Sequence, residues 1–300
     1  MTEPRQAILP ARAVLAVTGA DARPFLQGLI TNDIAKVGPG RAIYAALLTP
    51  QGKFLHDFFV GALGEALVLD CEAARRDDLE RRLLLYRLRA AVTITRRDDL
   101  AVAVAFGGDA VARLGLEAEP GRARALDGGL VYVDPRLAAA GVRAMAPRDA
   151  VAALLTAASF AEATPEDYDR HRLVLGLPDG SRDIAVERGF LLESNLDALA
   201  GVDFDKGCYV GQELTARTRY RANLRKRLVP VAVRGPMPPP GAPVMQAGRP
   251  VGELRSGRDG RALALLRLDA VTASGEALVA GEADIVPELP EWLILTHPSP

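Results

Sequence analysis

Residues 206–227 read KGCYVGQELTARTRYRANLRKR, a stretch in which one cysteine stands between glycines and then runs into a basic segment. Because glycine has no Cβ, Gly207 and Gly211 allow the backbone around Cys208 to approach a ligand or partner closely. The residues after Gly211 predict the first turn of a helix, where free amide groups favour an anion or a thiolate. We therefore predict that Cys208 is a functional thiol; a half-buried residue in a glycine turn is the alternative.

Three polar residues stand close to Cys208 in the sequence, namely Lys206, Gln212 and Glu213. They would give the loop a cation, an amide and a carboxylate within short reach of the thiol. We interpret them, together with Cys208, as one functional cluster. Simple solvated residues on a surface loop are the alternative interpretation.

The basic segment has six Lys or Arg residues within residues 217–227, and residues 214–233 contain no acid. Arg217 and Arg221 are four residues apart and would share a helical face with Glu213, so a local salt-bridge row is one interpretation. An RNA-binding helix is another, but the net charge of −1 and the lack of a nucleic-acid fold signature argue against it. We favour a basic face that binds an acidic ligand.

Composition describes a globular protein: 49% of the 300 residues are hydrophobic and 25% are charged, which is enough chain for two or three domains. The first residues, MTEPRQAILPARAVLAV, include an acid and two prolines and lack a basic lead. No apolar run approaches the roughly 18 to 20 residues that span a bilayer. We therefore predict a cytoplasmic protein with no membrane contact.

Cys71 and Cys208 are the two cysteines of the chain, and its three histidines show no zinc-site spacing. One chain therefore cannot supply the four thiolates of an iron–sulfur cluster. Cys71 ends an apolar strand pattern and is predicted to lie in the core. A disulfide between the two cysteines would be unusual in a reducing compartment.

Apolar periodicity predicts an α+β chain that ends in a small all-β module beginning near residue 228. The predicted elements are a strand at 12–18, a helix at 21–29 capped by Asp21, a hairpin of 42–49 and 54–63, a strand at 66–71, a helix at 77–89, strands at 92–95 and 100–106, a weak helix at 109–114, strands at 130–133 and 142–144, and helices starting at Pro147 and Pro165, the second capped by Thr164. Residues 236–243 are predicted to form a stiff loop inside the all-β module.

The stretch quoted first resembles the signature of the YgfZ family. KGCY followed by GQE and a basic tail carries the resemblance, and ELTART with RKRL is most similar to the mitochondrial branch of the family and its bacterial kin. A looser likeness covers FLQGLITNDI at 25–34, LLTPQGKFLHDFFV at 47–60 and LLESNLDALAGVDFDKG at 191–207. The family comprises folate-binding relatives of the glycine-cleavage aminomethyltransferase that are implicated in iron–sulfur cluster assembly.

The resemblance implies an aminomethyltransferase-like α+β fold, in which two antiparallel α+β domains and a C-terminal β-barrel surround a central cavity that receives tetrahydrofolate. It implies a discontinuous folate-binding domain at 1–50 and 145–227, an inserted α+β domain at 51–144 and a barrel at 228–300.

The resemblance also implies which residues contact folate. Glu193 matches the acid that holds the pterin ring in the related enzymes, and Asn32 lies in a turn that matches the family's TND sequence, with helix termination as the alternative role. Asp57 is expected to face the cavity rather than to be buried with partners. The related enzymes carry an Asp-Asp pair where this chain has His56 and Asp57, which argues against aminomethyl transfer.

We expect a protein that binds tetrahydrofolate or a derivative and supports assembly or repair of iron–sulfur clusters, of the four-iron type, in client enzymes. Cys208 would contact a cluster, an assembly protein or an oxidised species, and Arg217 and Arg221 would receive the glutamate tail of the folate. A folate-dependent one-carbon transferase and an RNA-binding module are the alternatives. Methylene transfer in the presence of a carrier protein would identify the transferase.

Overall fold

A computed structural model describes residues 3–220, 224–273, 276–293 and 295 of the chain. The strands are β1 (Arg5–Ile8), β2 (Arg12–Thr18), β3 (Ile43–Leu48), β4 (Phe54–Leu63), β5 (Ala66–Glu72), β6 (Thr93–Arg96), β7 (Leu100–Phe106), β8 (Ala123–Leu126), β9 (Gly129–Val133), β10 (Val142–Pro147), β11 (Ala161–Glu162), β12 (Lys226–Arg234), β13 (Pro243–Gln246), β14 (Arg249–Arg258), β15 (Arg261–Arg267), β16 (Leu278–Ala280) and β17 (Ala283–Pro287). The helices are α1 (Ala22–Gln27), α2 (Arg76–Arg87), α3 (Ala110–Arg113), α4 (Arg148–Ala157), α5 (Pro165–Leu175), α6 (Gly180–Asp183), α7 (Gln212–Tyr220) and α8 (Leu268–Thr272).

The chain divides into two compact units. The first unit comprises Met1–Leu48, Leu55–Tyr168 and Leu199–Val210, and the second comprises Thr49–Phe54, Asp169–Ala198 and Gly211–Pro300.

Two sheets build the first unit. One has the strand order β3-β4-β5-β2-β6 and the other has the order β11-β1-β7-β10-β9-β8. Strands β3 and β7 are buried along their whole length, which fits their uninterrupted apolar sequences IYAALL and LAVAVAF. Leu26 of α1 and Leu79 and Leu83 of α2 join the core of the first sheet, whereas Val151 and Leu155 of α4 join the core of the second.

A closed six-stranded barrel dominates the second unit, with the strand order β12-β15-β14-β13-β16-β17. Its interior is filled by apolar side chains that include Val229, Leu254, Ala264 and Ile285. Each described strand of the barrel pairs with two neighbours, so none of them is an edge strand that could act as a template for aggregation. The all-β module predicted after residue 227 is therefore confirmed, although α8 was not predicted.

Most predicted elements of the first unit are confirmed, with differences at helix ends. Helix α1 ends at Gln27 rather than at residue 29. Asp21 makes no side-chain cap for α1, and its carboxylate instead accepts a hydrogen bond of 2.7 Å from the N–H group of Ala91. Helix α2 ends at Arg87 rather than at residue 89, because the backbone of Leu88 turns to a positive φ of 44°.

Of the two helices predicted to start at a proline, one begins differently from the prediction and the other begins as predicted. Pro147 is the last residue of β10 and lies before α4 rather than inside its first turn. Thr164 caps α5 as predicted, since its hydroxyl accepts a hydrogen bond from the N–H group of Asp167 and the Asp167 carboxylate accepts one in return from the N–H group of Thr164.

No helix within the described ranges combines the length and apolar character needed to cross a bilayer. The domain boundaries predicted at residues 50, 144 and 227 stay a prediction.

Candidate functional site

The loop that carries Cys208 is clamped to the segment after α1 on both sides of the thiol. Before the cysteine, the ammonium group of Lys206 donates to the carbonyl oxygens of Gln27, Ile30 and Asn32 at 2.8, 2.6 and 3.0 Å. After it, the N–H group of Val210 donates to the carbonyl oxygen of Gly28 at 3.1 Å. Cys208 itself is exposed and its thiol is free. The loop therefore presents Cys208 between two fixed points.

Lys206 is half-buried, and its burial lowers the pKa of its ammonium group to about 8. One of the carbonyls that it contacts belongs to Gln27, the last residue of α1, and the other two lie after the helix. Carbonyls at the C-terminus of a helix lack intrahelical partners, and a cation is favourable there. Its ring neighbour is Tyr209, whose centroid lies 5.0 Å from the ammonium nitrogen. The structure thus gives Lys206 an anchoring contact, and a direct role beside the thiol stays a prediction.

The TND turn uses its polar atoms within the chain. The hydroxyl of Thr31 donates to the carbonyl oxygen of Gly201 at 2.6 Å and accepts from the N–H group of Ala46 at 2.8 Å. The amide nitrogen of Asn32 donates to the carbonyl oxygens of Tyr44 and Ala200 at 2.8 and 2.7 Å. The Asn32 side chain therefore joins β3 to residues 199–206, and its contact with folate stays a prediction.

Asp57 is buried with a partner, although its sequence context predicted that it would face a cavity. The hydroxyl of Tyr44 donates to the Asp57 carboxylate at 2.8 Å, and the burial of Tyr44 raises its pKa well above the usual value. Neighbouring residues of a strand point to opposite faces of the sheet. His56 accordingly contacts Asp78 of α2, at 2.9 Å, and it takes no part in the contact between Tyr44 and Asp57.

A buried ionic cluster in the first unit was not predicted from the sequence. Asp70 accepts hydrogen bonds from Arg12 at 2.6 Å and from Arg143 at 2.5 Å, and all three side chains are almost fully buried. The Arg143 guanidinium also stacks 4.1 Å from the ring centroid of Phe59. The one available signal was an aspartate inside the apolar strand ALVLDC, because a buried carboxylate requires cationic partners.

Glu193 lies in the second unit on a turn that a buried arginine holds in place. Arg227 donates to the carbonyl oxygen of Leu192 at 2.7 Å and to the carboxylate of Asp197 at 2.7 and 2.9 Å. The N–H group of Leu228 donates to the backbone carbonyl of Glu193 at 2.7 Å. The main chain on both sides of Glu193 is therefore fixed.

The carboxylate of Glu193 is half-buried and makes no hydrogen bond or ion pair with any other residue in the described part of the chain. Burial raises its pKa, while the positive charges of Lys226, Lys53 and Arg255 oppose that rise. A half-buried carboxylate with free lone pairs can accept two hydrogen bonds from an amino-substituted heterocycle.

The prediction of a six-cation face needs one correction. Arg227 has no exposed surface, because it is the buried arginine that pairs with Asp197. Arg217 of α7 is exposed, as are Arg225 and Lys226 at the start of β12. Arg221 lies outside the described residues. A cavity of about 540 Å³ is lined by Leu224, Arg225, Lys226, Arg267, Leu268 and Asp269.

Helix α7 begins at Gln212, as predicted, with Glu213 in its first turn. Gln212 and Glu213 belong to the second unit, whereas Lys206 and Cys208 belong to the first. Their grouping as one functional cluster stays a prediction. Within the described residues, no group of three or more His, Cys, Asp or Glu side chains is arranged to hold a metal ion.

Two family models match the chain. Residues 12–114 match the GCVT N-terminal domain, and residues 225–294 match the C-terminal β-barrel domain of CAF17. The second match coincides with the closed barrel of the second unit.

The chain is also similar to curated proteins over most of its length. The human mitochondrial iron–sulfur cluster assembly factor IBA57 (Homo sapiens) is 36% identical over 310 residues, which cover 95% of this chain and 84% of that protein. The mouse protein of the same name (Mus musculus) is 35% identical over 283 residues, which cover 88% of this chain and 77% of that protein.

Both relatives are named as mitochondrial proteins, which contradicts the prediction of a cytoplasmic location. That prediction depended on the lack of a basic lead among the first residues and of a long apolar run, and neither absence distinguishes the two compartments.

Among solved structures, the glycine cleavage system aminomethyltransferase T from Bartonella henselae resembles the chain with a TM-score of 0.79. The alignment covers 97% of this chain and 87% of that one at 16% identity. This likeness shows the fold, and it confirms the α+β, aminomethyltransferase-like class with a C-terminal barrel.

Proposed function

The chain belongs to the IBA57 family of iron–sulfur cluster assembly factors, and on this premise we propose that it supports assembly or repair of iron–sulfur clusters in client enzymes. The observation that carries the proposal is the exposed thiol of Cys208 on a loop clamped on both sides by Lys206 and Val210. A fixed loop lowers the entropy that is lost when its thiolate contacts a partner.

A cluster that Cys208 contacts would take its remaining ligands from another protein. The chain has two cysteines, and the second, Cys71, is buried with its pKa raised to about 12 by burial. Iron–sulfur clusters are ordinarily held by several thiolates. The partner is therefore an assembly protein or a client enzyme that supplies further cysteines, and Cys208 contributes one soft ligand in the shared complex.

The thiol proposal is tested by replacement of each cysteine in turn. Cys208→Ser should fold normally and fail to restore iron–sulfur enzyme activity in cells that lack the native protein. Cys71→Ala is the matched control, which should cost only a small core cavity and retain rescue. Full rescue by Cys208→Ser would remove the thiol from the mechanism.

We also propose that the chain binds a reduced folate through Glu193. The fit depends on the half-buried carboxylate of Glu193, which makes no hydrogen bond or ion pair with a described residue and whose backbone is fixed by β12. An aminopyrimidine edge presents two N–H donors that match such a carboxylate. The cations at Lys53 and Lys226 favour the ionised form of Glu193. Bound folate would supply a one-carbon carrier, and Glu193 would orient its pterin ring.

Equilibrium binding of tetrahydrofolate to the purified chain tests this second proposal. Glu193→Gln keeps the shape of the side chain but replaces one acceptor oxygen with a donor, so affinity should fall by about 10- to 100-fold. Glu282→Gln, at an exposed residue, is the control and should bind as the wild type does. Equal affinities for both variants would place the pterin elsewhere. Failure here would leave the thiol proposal standing, since the two tests use different residues and different measurements.

A further inference from the structure

The C-terminal end of α2 and the residues after it expose an apolar and cationic surface. Residues 84–89, LLYRLR, are all exposed, although the preceding leucines Leu79 and Leu83 are buried in the core. The exposed fractions are 42% for Leu84, 65% for Leu85, 37% for Tyr86 and 87% for Leu88. Isolated exposed leucines are ordinary, but a contiguous apolar patch is typical of an interaction site.

Leu88 combines its exposure with a strained backbone. It follows the last residue of α2 with φ of 44° and ψ of −108°. A residue with a Cβ is disfavoured at positive φ, and glycine is the usual choice just after a helix. The side chain of Leu88 gains no burial within the chain that would offset this cost. Burial of this side chain against a partner would offset the cost that the chain itself does not offset.

A hollow lies beside these leucines. It has a volume of about 360 Å³ and is lined by Asp77, Glu80, Arg81, Leu84, Leu85 and Arg96. The two acids of this lining both pair with Arg96, at 3.1 and 2.6 Å. Arg81 pairs with Asp78. The charges in the lining are thus matched within the chain, and the leucines leave room for an apolar side chain.

The cations within residues 84–89 lack such ion pairs among the described residues. Arg87 and Arg89 are exposed, and neither side chain makes a hydrogen bond or an ion pair with another residue in the described ranges. A second copy of the chain docked on the same surface would bring these cations together, which is unfavourable. A partner with carboxylates at its own apolar surface would pair with them.

We propose that residues 84–89 form a docking surface for a protein partner that presents an apolar side chain flanked by Asp or Glu. The apolar side chain occupies the hollow beside Leu84 and Leu85, and the flanking carboxylates pair with Arg87 and Arg89. The surface uses none of the residues assigned to the thiol or to folate, so it goes beyond the function proposed above.

Photocrosslinking from position 85 tests the proposal. A photoreactive phenylalanine analogue replaces Leu85 in the full-length chain, in cells that lack the native protein, and mass spectrometry identifies the crosslinked segment. The identified partner is then purified, and its affinity is measured for the wild type, Leu85→Ser and Arg87→Glu. Val174→Ser is the matched control, because Val174 is an apolar residue that is 56% exposed on a different helix.

We expect a crosslink to a protein segment that contains Asp or Glu beside an apolar residue. Leu85→Ser should weaken binding by about tenfold or more, as for truncation of an interface anchor. Arg87→Glu should weaken binding and reduce its salt dependence. Val174→Ser should change neither, and all variants should melt at the wild-type temperature. A crosslink to a second copy, co-sedimentation with anionic lipid vesicles in place of a protein crosslink, the absence of any crosslink, or unchanged affinity in Leu85→Ser would overturn the proposal.

Discussion

The ammonium group of Lys206 pairs with no carboxylate among the described residues and instead contacts the carbonyl oxygens of Gln27, Ile30 and Asn32. Replacement by methionine would keep the length of the side chain and leave those carbonyls without their shared donor. We expect Lys206→Met to lower the free energy of unfolding by about 1 to 3 kcal/mol and to free the loop around Cys208.

Amide hydrogen exchange of residues 206–211 measures that release. Exchange in this loop should accelerate in Lys206→Met while exchange in the core strands of the first unit changes little. Lys36→Met is the control, because Lys36 is a partly exposed lysine whose ion pair with Asp203 is expected to contribute little. Unchanged exchange in the loop would show that the backbone holds Cys208 without the lysine.

His56 predicts a defined dependence of stability on pH. Burial and the nearby charge of Arg75 lower its pKa in the folded protein to about 4, against about 6.5 in an unfolded chain. As the pH falls from about 6.5 to about 4, the unfolded chain therefore binds a proton that the folded protein excludes. The free energy of unfolding should fall over this window, by at most on the order of 3 kcal/mol.

Denaturant unfolding at pH 7 and pH 5 tests the assignment to His56. The wild type should lose about 2 kcal/mol more than His56→Gln between these values. The aspartates with strongly lowered pKa values, such as Asp78, titrate below this window and so affect both proteins alike. Equal losses in the two proteins would mean that His56 is protonated in the folded state near pH 5.

At the residue scale, the sequence indicated which residues are notable better than it indicated what each of them contacts. Cys71 was predicted correctly as a core residue, whereas Cys208 was predicted to be a functional thiol, and the structure shows only that it is exposed. Asn32 and Asp57 were predicted to contact folate, and Arg227 was counted in the basic face, yet the structure gives each a partner within the chain. The sequence does not show whether the partner of a polar side chain is a ligand or a carbonyl group elsewhere in the chain. That distinction depends on contacts between residues far apart in the sequence.

At the element scale, the turn between β3 and β4 depends on Gly52. Its φ is 73°, and an added Cβ would lie 2.9 Å from the carbonyl oxygen of Gly211 and from Cβ of Leu214. We expect Gly52→Ala to lower the free energy of unfolding by about 2 kcal/mol or more, because backbone strain and a steric clash add together.

Gly64 provides a matched control for that clash. It also lies in a hairpin turn with a positive φ, of 57°, but an added Cβ there would meet nothing within 4 Å. Gly64→Ala should therefore show only the backbone cost, about 1 kcal/mol. Thermal or denaturant unfolding of the two variants gives the comparison, and equal destabilisation would show that the approach of Gly52 to Gly211 relaxes freely.

The start of β12 predicts how a folate tail would bind. Arg225 and Lys226 are exposed and line the cavity of about 540 Å³ together with Arg267. If this face binds the glutamate tail, Arg225→Glu should weaken binding of a polyglutamylated folate more than binding of the monoglutamate. Arg234→Glu, at the exposed far end of the same strand, is the control. Equal losses for the two ligands would assign the face to an acidic protein partner instead.

Periodicity predicted most elements because each strand or helix has its own apolar repeat. Helix ends were less predictable. The positive φ of Leu88 and the hydrogen bond from Ala91 that takes the Asp21 carboxylate away from a capping role depend on the surrounding fold, and local propensity contains no information about either.

At the scale of the whole molecule, local sequence patterns predict that an all-β module exists, but they do not predict the strand order of the sheets. Short strands broken by turn residues were enough to predict an all-β module. The order of strands within each sheet was not predictable, because it depends on which strands pair across long separations in the chain. The buried cluster of Asp70, Arg12 and Arg143 illustrates this limit, since its members lie up to 131 positions apart, counted from Arg12 to Arg143.

Because one cysteine is buried and the other is exposed, modification of the two thiols can report how often the first sheet opens. Cys71 is buried on β5, the central strand of the first sheet, between Ala13 of β2 and Phe58 of β4, while Cys208 is exposed. A thiol reagent should modify Cys208 at once and Cys71 only when the sheet separates. The modification of Cys71 should become faster as denaturant is added. The ratio of its rate to the rate for a cysteine in an unfolded peptide would give the equilibrium constant for opening of the sheet, without any substitution. Equally rapid modification of both thiols would mean that this sheet opens readily under native conditions.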